Sequence, residues 1–368
     1  MKFIRMPIEV ESPEQMGYEN VKFNLTESSV SDAVIDDLKI DLRGTVLGYG
    51  DHLGYKPLRK SISVDFGVTE NDVLVTAGAA SALFIIHTSI LTAQDQLLVM
   101  HPNYGTNIET PRAIGTTVDF ISLKFENGYK PDFDEIKKQI TKQTKIISIT
   151  NPHNPTGVCL TLDELKEFIS LAKKHKCYLL VDETYRELTH GEKLPVAATL
   201  ADCVISVSSL SKAYGLPGIR MGWIISKNKA LQNLFLAAKE QIFICNSLLD
   251  ETVAHHFLRN KMVHQQRIKK HTEKNFSILK TWITNETRME WVEPTGGVVS
   301  FPRIKKSVKI NIEKFYQTLN LTHKTFVGPG HWFEMDKRYM RIGYGWPTSA
   351  DLKQGLSNVS AALDETTK

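Results

Sequence analysis

The chain has 368 residues, of which 42% are hydrophobic and 23% charged, with a formal net charge of +4. This balance is typical of a globular protein with a large core, and the mild, dispersed charge argues against a nucleic-acid partner. Four scattered cysteines without metal-binding or redox spacing, and an apolar tract that Gly78 interrupts, lead us to expect a cytoplasmic protein with no metal site and no membrane segment.

Short apolar runs alternate with helix-like segments through the middle of the chain. The runs that predict strands are residues 72–76, 96–100, 145–150, 177–183, 203–209 and 221–226. Helical patterns cover residues 79–91, 161–175 and 230–260, and Thr161 with Glu164 forms a capping-box pattern. Nearly continuous apolar strands separated by helices predict an α/β fold with a mostly parallel sheet covered on both faces.

The end of the chain has a different pattern, in which helices mix with short strands from about residue 262. This pattern predicts a second, smaller α+β domain. We therefore divide the chain into a large cofactor-binding domain of residues 45–255 and a smaller domain that combines residues 1–44 with residues 256–368.

Unusual polar residues follow several predicted strands. They are the small residues 78–80, the "PNY" of residues 102–104, the two Asn-Pro pairs of "NPHNPTG" at 151–157, Asp182, and the loop "SSLSKAYGLPGIRMG" at 208–222. Ligands of open α/β sheets bind at the carboxyl ends of the strands, so we expect these residues to share a site.

Each of these features has an ordinary explanation when it is taken alone. The small residues suit a tight turn, Tyr104 suits a packed loop, Asp182 suits a helix cap, and Lys212 suits a solvated surface. One flat ligand with a basic ring nitrogen, a phosphate and an aldehyde would explain all of them together. Pyridoxal phosphate has these groups, and its usual partners are a lysine and an acidic residue.

The motifs "NPHNPTG", "VDETY" and "SLSKAYGLPGIRMGW" occur in the order and approximate spacing of a known family. Over residues 49–345 the chain resembles the class I/II aminotransferases, which are fold-type-I pyridoxal-phosphate enzymes. The resemblance implies a large domain with a mostly parallel, seven-stranded sheet flanked by helices. It also implies a homodimer with shared active sites.

The same resemblance implies roles for individual residues. Lys212 matches the lysine that binds the cofactor as a Schiff base, Asp182 the partner of the ring nitrogen, and Tyr185 with Asn154 the partners of the phenolic oxygen. The other implied cofactor-binding residues are Ala79, Ala80, Ser209, Ser211 and Arg220 at the phosphate, Tyr104 stacked on the ring, and Tyr49, which reaches the phosphate of the neighbouring subunit. From the residues themselves, we expect Arg220 and an apolar site to disfavour the charged form of Lys212.

The substrate end is defined less well. Arg341 in "MRIGYG" resembles the arginine that holds the substrate α-carboxylate, and Asn154 lies beside it. The segment "NLTESS" at residues 24–29 departs from the family pattern, with Thr26 near a position that is often glycine. We find no counterpart of the second arginine that binds the side-chain carboxylate of a dicarboxylic substrate. The sequence therefore does not identify the amino donor.

The function implied is transfer of an amino group from an amino acid to a 2-keto acid in two half-reactions. A lyase or cyclase, acting by β- or γ-elimination or by side-chain cyclisation, would use the same site and is the main alternative. A non-catalytic half of a transcription regulator is disfavoured, because we expect no room for a helix-turn-helix domain. A nicotinamide dehydrogenase is disfavoured because no GxGxxG follows a strand.

Overall fold

The computed structural model describes residues 1–367. Its strands are β1 (Phe23–Asn24), β2 (Val73–Thr76), β3 (Gln96–His101), β4 (Thr117–Ser122), β5 (Thr144–Thr150), β6 (Tyr178–Asp182), β7 (Val204–Ser209), β8 (Gly222–Ile225), β9 (Met289–Glu290), β10 (Val299–Ser300), β11 (Arg303–Ile304), β12 (Thr325–Phe326), β13 (Gly328–Pro329) and β14 (Met340–Gly343). Its α-helices are α1 (Pro7–Val10), α2 (Pro13–Met16), α3 (Ile35–Leu38), α4 (Lys56–Phe66), α5 (Gly78–Ile90), α6 (Thr106–Ile114), α7 (Phe133–Gln139), α8 (Leu162–His175), α9 (Lys229–Phe243), α10 (Leu248–Asn285), α11 (Ile312–Gln317) and α12 (Ser349–Thr366).

A seven-stranded sheet with the order β2-β8-β7-β6-β5-β3-β4 forms the centre of the fold. Strand β8 runs antiparallel to both of its neighbours, and the other paired strands run parallel. Side chains alternate between the two faces: Leu180 belongs to the apolar cluster that contains Leu83 of α5, whereas Leu179 and Val181 belong to the cluster that contains Phe168 of α8. The predicted fold class, a mostly parallel seven-stranded sheet covered by helices, is therefore confirmed.

Two details differ from the prediction. Strand β4 was missed because it lies at the sheet edge and buries only Ile121 fully, so its sequence lacks a continuous apolar run. The long helical pattern over residues 230–260 is divided between two helices. Helix α9 ends at Phe243, Ile244 takes a left-handed φ of 57°, and α10 then continues to Asn285.

The first residues of the chain pack with its last third. Strand β1 pairs with β12, the strand order β10-β14-β13 forms a second small sheet, and β9 pairs with β11. The division at residues 44/45 and 255/256 stays a prediction, and its second boundary falls inside α10. None of the helices within residues 1–367 is both long enough and apolar enough to cross a membrane.

Candidate active site

A cavity of about 290 Å³ lies at the carboxyl ends of β5, β6 and β7, beside the first turn of α5. The residues named from the sequence that line it are Thr26, Ala79, Ala80, Tyr104, Asn154, Asp182, Tyr185, Ser209, Ser211, Lys212, Arg220 and Arg341. Tyr49 is absent from this wall, and its side chain is 86% exposed. Residues that are distant in sequence therefore share one cavity, as expected for the carboxyl edge of a parallel sheet.

Strand register fixes the position of Asp182. It is the last residue of β6, opposite Thr150 of β5 on one side and Val207 of β7 on the other. Its Oδ1 accepts hydrogen bonds from Thr184 N at 3.0 Å and Thr184 Oγ1 at 2.6 Å. Burial raises the pKa of this carboxyl group, so a cationic group bound beside it would stabilise the ionised form.

The first turn of α5 is closely approached by two other segments. Gly78 has a φ of +80°, and a Cβ added there would lie 2.6 Å from Arg220 Nη2. Gly222, which pairs with Thr76 across β2 and β8, would place a Cβ 2.5 Å from the carbonyl carbon of Gly78. Only glycine at both positions allows the guanidinium and the helix N-terminus to meet. Together they form a corner suited to an anion.

Ser209 and Ser211 lie at the same corner, where β7 ends. Ser211 N donates to Ser209 Oγ at 3.3 Å, so the chain turns immediately after the strand. The exposed Arg220 closes the corner and donates from Nη1 to Pro217 O at 2.8 Å. Two hydroxyl groups, one guanidinium and the amides of a helix N-terminus are therefore close together.

Lys212 lies in the connection between β7 and β8. Its carbonyl oxygen accepts from Val30 N at 3.0 Å, and Ala33 N donates to Gly215 O at 2.8 Å, so the N-terminal segment fixes this loop. Burial lowers the pKa of the Lys212 amine, Glu27 raises it, and Arg341 lowers it further. Arg341 is thus a cation that disfavours the charged form of Lys212, and the predicted contribution of Arg220 stays a prediction.

Arg341 projects from β14 and is only 4% exposed. Its Nη1 donates to Asn154 Oδ1 at 3.2 Å and its Nη2 donates to Thr26 O at 2.8 Å. Its Nε is buried and has no hydrogen-bond partner within residues 1–367. The same is true of Tyr185 Oη, and burial raises the pKa of Tyr185 to about 12. Buried polar atoms are almost always hydrogen-bonded, so these two atoms point to a ligand.

Of the wall that the first residues of the chain contribute, only Thr26 was predicted from the sequence. The cavity residues not predicted are Ile8, Glu9, Ser12, Pro13, Glu14, Glu27, Ser28, Leu83, Thr150, Thr184, Pro217 and Trp332. The acidic run "EVESPE" at residues 9–14 was the available signal. It belongs to no chemical motif, and its helices α1 and α2 have four residues each, so no pattern placed it over the cavity.

Comparison with known proteins decides the family. The sequence model described as "Aminotransferase class I and II" matches residues 19–359. The chain belongs to the class I and II aminotransferase family. This family is pyridoxal-phosphate-dependent, as the chemistry of the strand-end residues had suggested.

Several relatives of this family member are similar over most of their length. Capreomycidine synthase from Streptomyces vinaceus is 26% identical over 317 residues, which are 85% of this chain and 80% of that protein. The putative aminotransferase YugH from Bacillus subtilis is 27% identical over 303 residues, 81% of this chain and 77% of its own. A crystal structure of a PLP-dependent aminotransferase from Streptococcus suis covers all of both chains with a TM-score of 0.92 and 29% identity.

The cavity of this aminotransferase-family chain fits pyridoxal phosphate. The corner at Gly78 is closed to any side chain but open to an anion, which suits the phosphate. Asp182 presents a buried carboxyl group of raised pKa, which suits a protonated ring nitrogen. The unpartnered Tyr185 Oη suits a phenolic oxygen.

Proposed function

We propose that the chain is an aminotransferase that moves an amino group from an amino acid to a 2-keto acid, in two successive half-reactions. The observation that supports this most directly is that Lys212, Asp182 and Arg341 line one cavity. An amine, a buried carboxyl group and a guanidinium are the three groups needed to move a proton, hold a ring nitrogen and bind a carboxylate.

The residues of the strand ends would hold the cofactor. Ser209, Ser211 and Arg220, with the amides of Ala79 and Ala80, would bind its phosphate, and Tyr104 would stack on its ring. Asp182 would keep the ring nitrogen protonated, and Asn154 and Tyr185 would bind the phenolic oxygen. When bound, the cofactor supplies an aldehyde that takes up the amino group and a ring that accepts the electron pair left at the substrate Cα.

Arg341 would bind the α-carboxylate of the substrate. A guanidinium has five N–H donors, and Asn154 and Thr26 each accept one hydrogen bond from it. The donors that remain, including the unpartnered Nε, suit a carboxylate with two parallel hydrogen bonds. On this proposal, the substrate Cα would lie between Arg341 and Lys212.

Lys212 would move the proton. Its lowered pKa increases the share of neutral amine, so Nζ can accept the proton from the substrate Cα and later return it to another carbon. Because proton transfer requires Nζ to be near the reacting carbon, the backbone bonds from Val30 and Ala33 to this loop also serve the reaction.

We also propose that the enzyme is a homodimer in which Tyr49 binds the phosphate in the partner's site. The 86% exposure of this side chain supports an intermolecular role, since Tyr49 does not line the cavity of its own chain.

A second candidate function is a lyase or cyclase reaction at the same site. The chain is similar to a protein named capreomycidine synthase, and for this reason the experiment below also tests for a lyase or cyclase reaction.

The proposed reaction is tested by incubating the purified holoenzyme with a panel of amino acids, with and without a 2-keto acid. We expect the amino group to appear on the keto acid, and borohydride to join the cofactor covalently to the peptide that contains Lys212. Lys212→Ala should prevent both. Release of ammonia without any keto acid would support the lyase, and a protein that takes up no pyridoxal phosphate would overturn the proposal.

A further inference from the structure

Three glutamates line the cavity without forming a salt bridge. Glu9 and Glu14 lie on α1 and α2, and Glu27 follows β1. No salt bridge within residues 1–367 includes any of them. The only basic residues in the cavity wall are Lys212, Arg220 and Arg341, to which the proposed function already gives the roles of proton carrier, phosphate ligand and carboxylate anchor. The wall therefore has carboxylates in excess of the groups that can neutralise them.

These carboxylates lie at the substrate end of the cavity. Glu27 is adjacent in sequence to Thr26, whose carbonyl oxygen accepts from Arg341 Nη2 at 2.8 Å. Asn24 Nδ2 donates to Glu27 Oε1 at 3.3 Å and holds that side chain. Glu9 Oε1 accepts from Tyr104 Oη at 3.4 Å. The unpartnered Nε of Arg341, which is only 4% exposed, independently marks this end as a place where a ligand binds.

Glu11, in the same acidic run, has a structural role that Glu9 and Glu14 do not share. Glu11 Oε2 accepts from Trp332 Nε1 at 2.7 Å and contacts His331 Nε2 at 2.8 Å. This anchors the segment that carries α1 and α2 to the other side of the cavity. Glu9 and Glu14 form no salt bridge within residues 1–367, so their charges remain to act on whatever occupies the cavity.

The space next to these carboxylates suits a long side chain. Ile8, Pro13 and Trp332 are buried apolar residues of the same wall. A second cavity of about 410 Å³ adjoins the first and shares Glu14, Glu27, Lys212 and Pro217 with it, and its own wall adds the acidic Asp32. A substrate side chain with an apolar stem and a positively charged end would complement this apolar surface and the acidic residues beside it.

We propose that the amino donor is an amino acid with a cationic side chain, a guanidinium or ammonium on a stem of several methylenes, whose head is bound by Glu27 together with Glu9 and Glu14. This rests on the proposed function, because Arg341 must hold the α-carboxylate for the side chain to reach the acidic wall. The methylenes pack on Ile8 and Trp332. The sequence has no counterpart of the second arginine that binds a dicarboxylic side chain. This agrees with a site that does not select a dicarboxylic donor.

Two pairs of amino acids test the charge: arginine against citrulline, which have nearly the same shape, and lysine against norleucine, which keeps the methylene stem but lacks the ammonium group. We expect kcat/KM to favour the cationic member by about 10- to 100-fold, the range for hydrogen bonds to charged groups. Calorimetric Kd values on the cofactor-loaded Lys212→Ala variant, which cannot turn over, should show the same preference. High salt should reduce the preference, because Glu9 and Glu14 are exposed.

Substitutions of the glutamates test which of them produce the preference for a cationic donor. Glu27→Gln, and the double variant Glu9→Gln with Glu14→Gln, should each lower the arginine-to-citrulline ratio about fivefold or more, since each removes a charge from the acidic wall. Glu19→Gln is the matched control, because Glu19 is exposed on the same segment but lines neither cavity. It should leave the ratio unchanged.

The outcomes separate this inference from the proposed function. Efficient amino transfer from alanine or glutamate with an arginine-to-citrulline ratio near one would overturn the inference and leave the aminotransferase intact. A preference that persists in Glu27→Gln and in the double variant would overturn the assignment to this wall. Failure of every donor with a cofactor-loaded enzyme would instead contradict the proposed function.

Discussion

The cavity has two walls that the chain builds in different ways. The cofactor wall consists of strand ends and the first turn of α5, where Asp182 and Ser209 are set by the register of a seven-stranded sheet. The substrate wall consists of Trp332 and parts of the first 30 residues, where α1 and α2 have four residues each and Glu9 and Glu14 are exposed. Backbone pairing thus fixes the groups proposed for the common chemistry, whereas the proposed selectivity depends mainly on exposed side chains of short elements.

Arg341 connects the two walls, because it bonds Asn154 on one and Thr26 on the other. Arg341→Lys keeps the charge but loses the planar fork that binds a carboxylate through two hydrogen bonds. We expect kcat/KM for amino donors to fall about 100-fold, with the cofactor Kd nearly unchanged. Steady-state kinetics and a cofactor titration measure the two quantities.

Arg338→Lys is the matched control for this variant. Arg338 binds the carbonyl oxygens of Lys305 and Val308 and does not line the cavity, so its replacement should leave kcat/KM near the wild-type value. If Arg341→Lys weakened the cofactor and left amino-acid binding unchanged, Arg341 would belong to the cofactor wall alone.

The two walls also differ in how far the sequence predicted them. The cofactor wall was predicted because its residues lie in local motifs at strand ends, and strand ends of a parallel sheet converge. Glu9, Glu14 and Glu27 were missed because their place depends on contacts across the whole chain, such as Glu11 with Trp332. Strand β4 and the break after α9 were missed for a related reason, since tertiary position rather than local pattern decides them.

A substitution at Gly78 tests how tightly the cofactor wall is built. Alanine there must adopt a φ of +80° and place its Cβ 2.6 Å from Arg220 Nη2. We expect the guanidinium to move and the affinity for pyridoxal phosphate to fall about tenfold or more, as one charge-assisted contact is lost. Equilibrium dialysis of the apoenzyme gives the Kd.

Gly67→Ala is the control that separates the cost of backbone strain from the displacement of the Arg220 guanidinium. Gly67 ends α4 with a φ of +65° and would place its Cβ in open space. Both variants should lose about 1 kcal/mol of stability, the usual cost of a left-handed alanine, but only Gly78→Ala should bind the cofactor more weakly. Equal cofactor affinities in the two variants would contradict the anion corner.

A buried carboxyl group next to the cofactor wall should make stability depend on pH. Glu183 follows Asp182; its Oε1 accepts from Ala197 N at 3.1 Å, while its Oε2 has no partner within residues 1–367. Burial raises its pKa from 4.5 to about 7. The folded state therefore binds more protons than the unfolded state between these values, so the stabilisation is complete below 4.5 and is lost as the pH rises through 7.

Urea denaturation of the apoenzyme at acidic and at mildly alkaline pH measures this effect. Relative to Glu183→Gln, which cannot ionise, the wild-type free energy of unfolding should decrease by about 1 to 3 kcal/mol over this range. Glu192→Gln, at an exposed glutamate, should follow the wild-type curve in parallel. A difference between wild type and Glu183→Gln that is independent of pH would show that the pKa of Glu183 is the same in the folded and unfolded states, contrary to this prediction.

The smallest effect is expected at Tyr49, the one proposed cofactor ligand outside the cavity of its own chain. Tyr49→Phe removes one hydrogen bond to the phosphate, so we expect the cofactor Kd to rise about fivefold. Mixed dimers of Tyr49→Phe with Lys212→Ala subunits decide where the hydroxyl group acts. If Tyr49 serves the neighbouring site, the site that retains Lys212 receives an intact tyrosine, and its cofactor affinity returns to the wild-type value. If that site stays weakened, Tyr49 acts within its own chain and the second subunit contributes nothing to the phosphate corner.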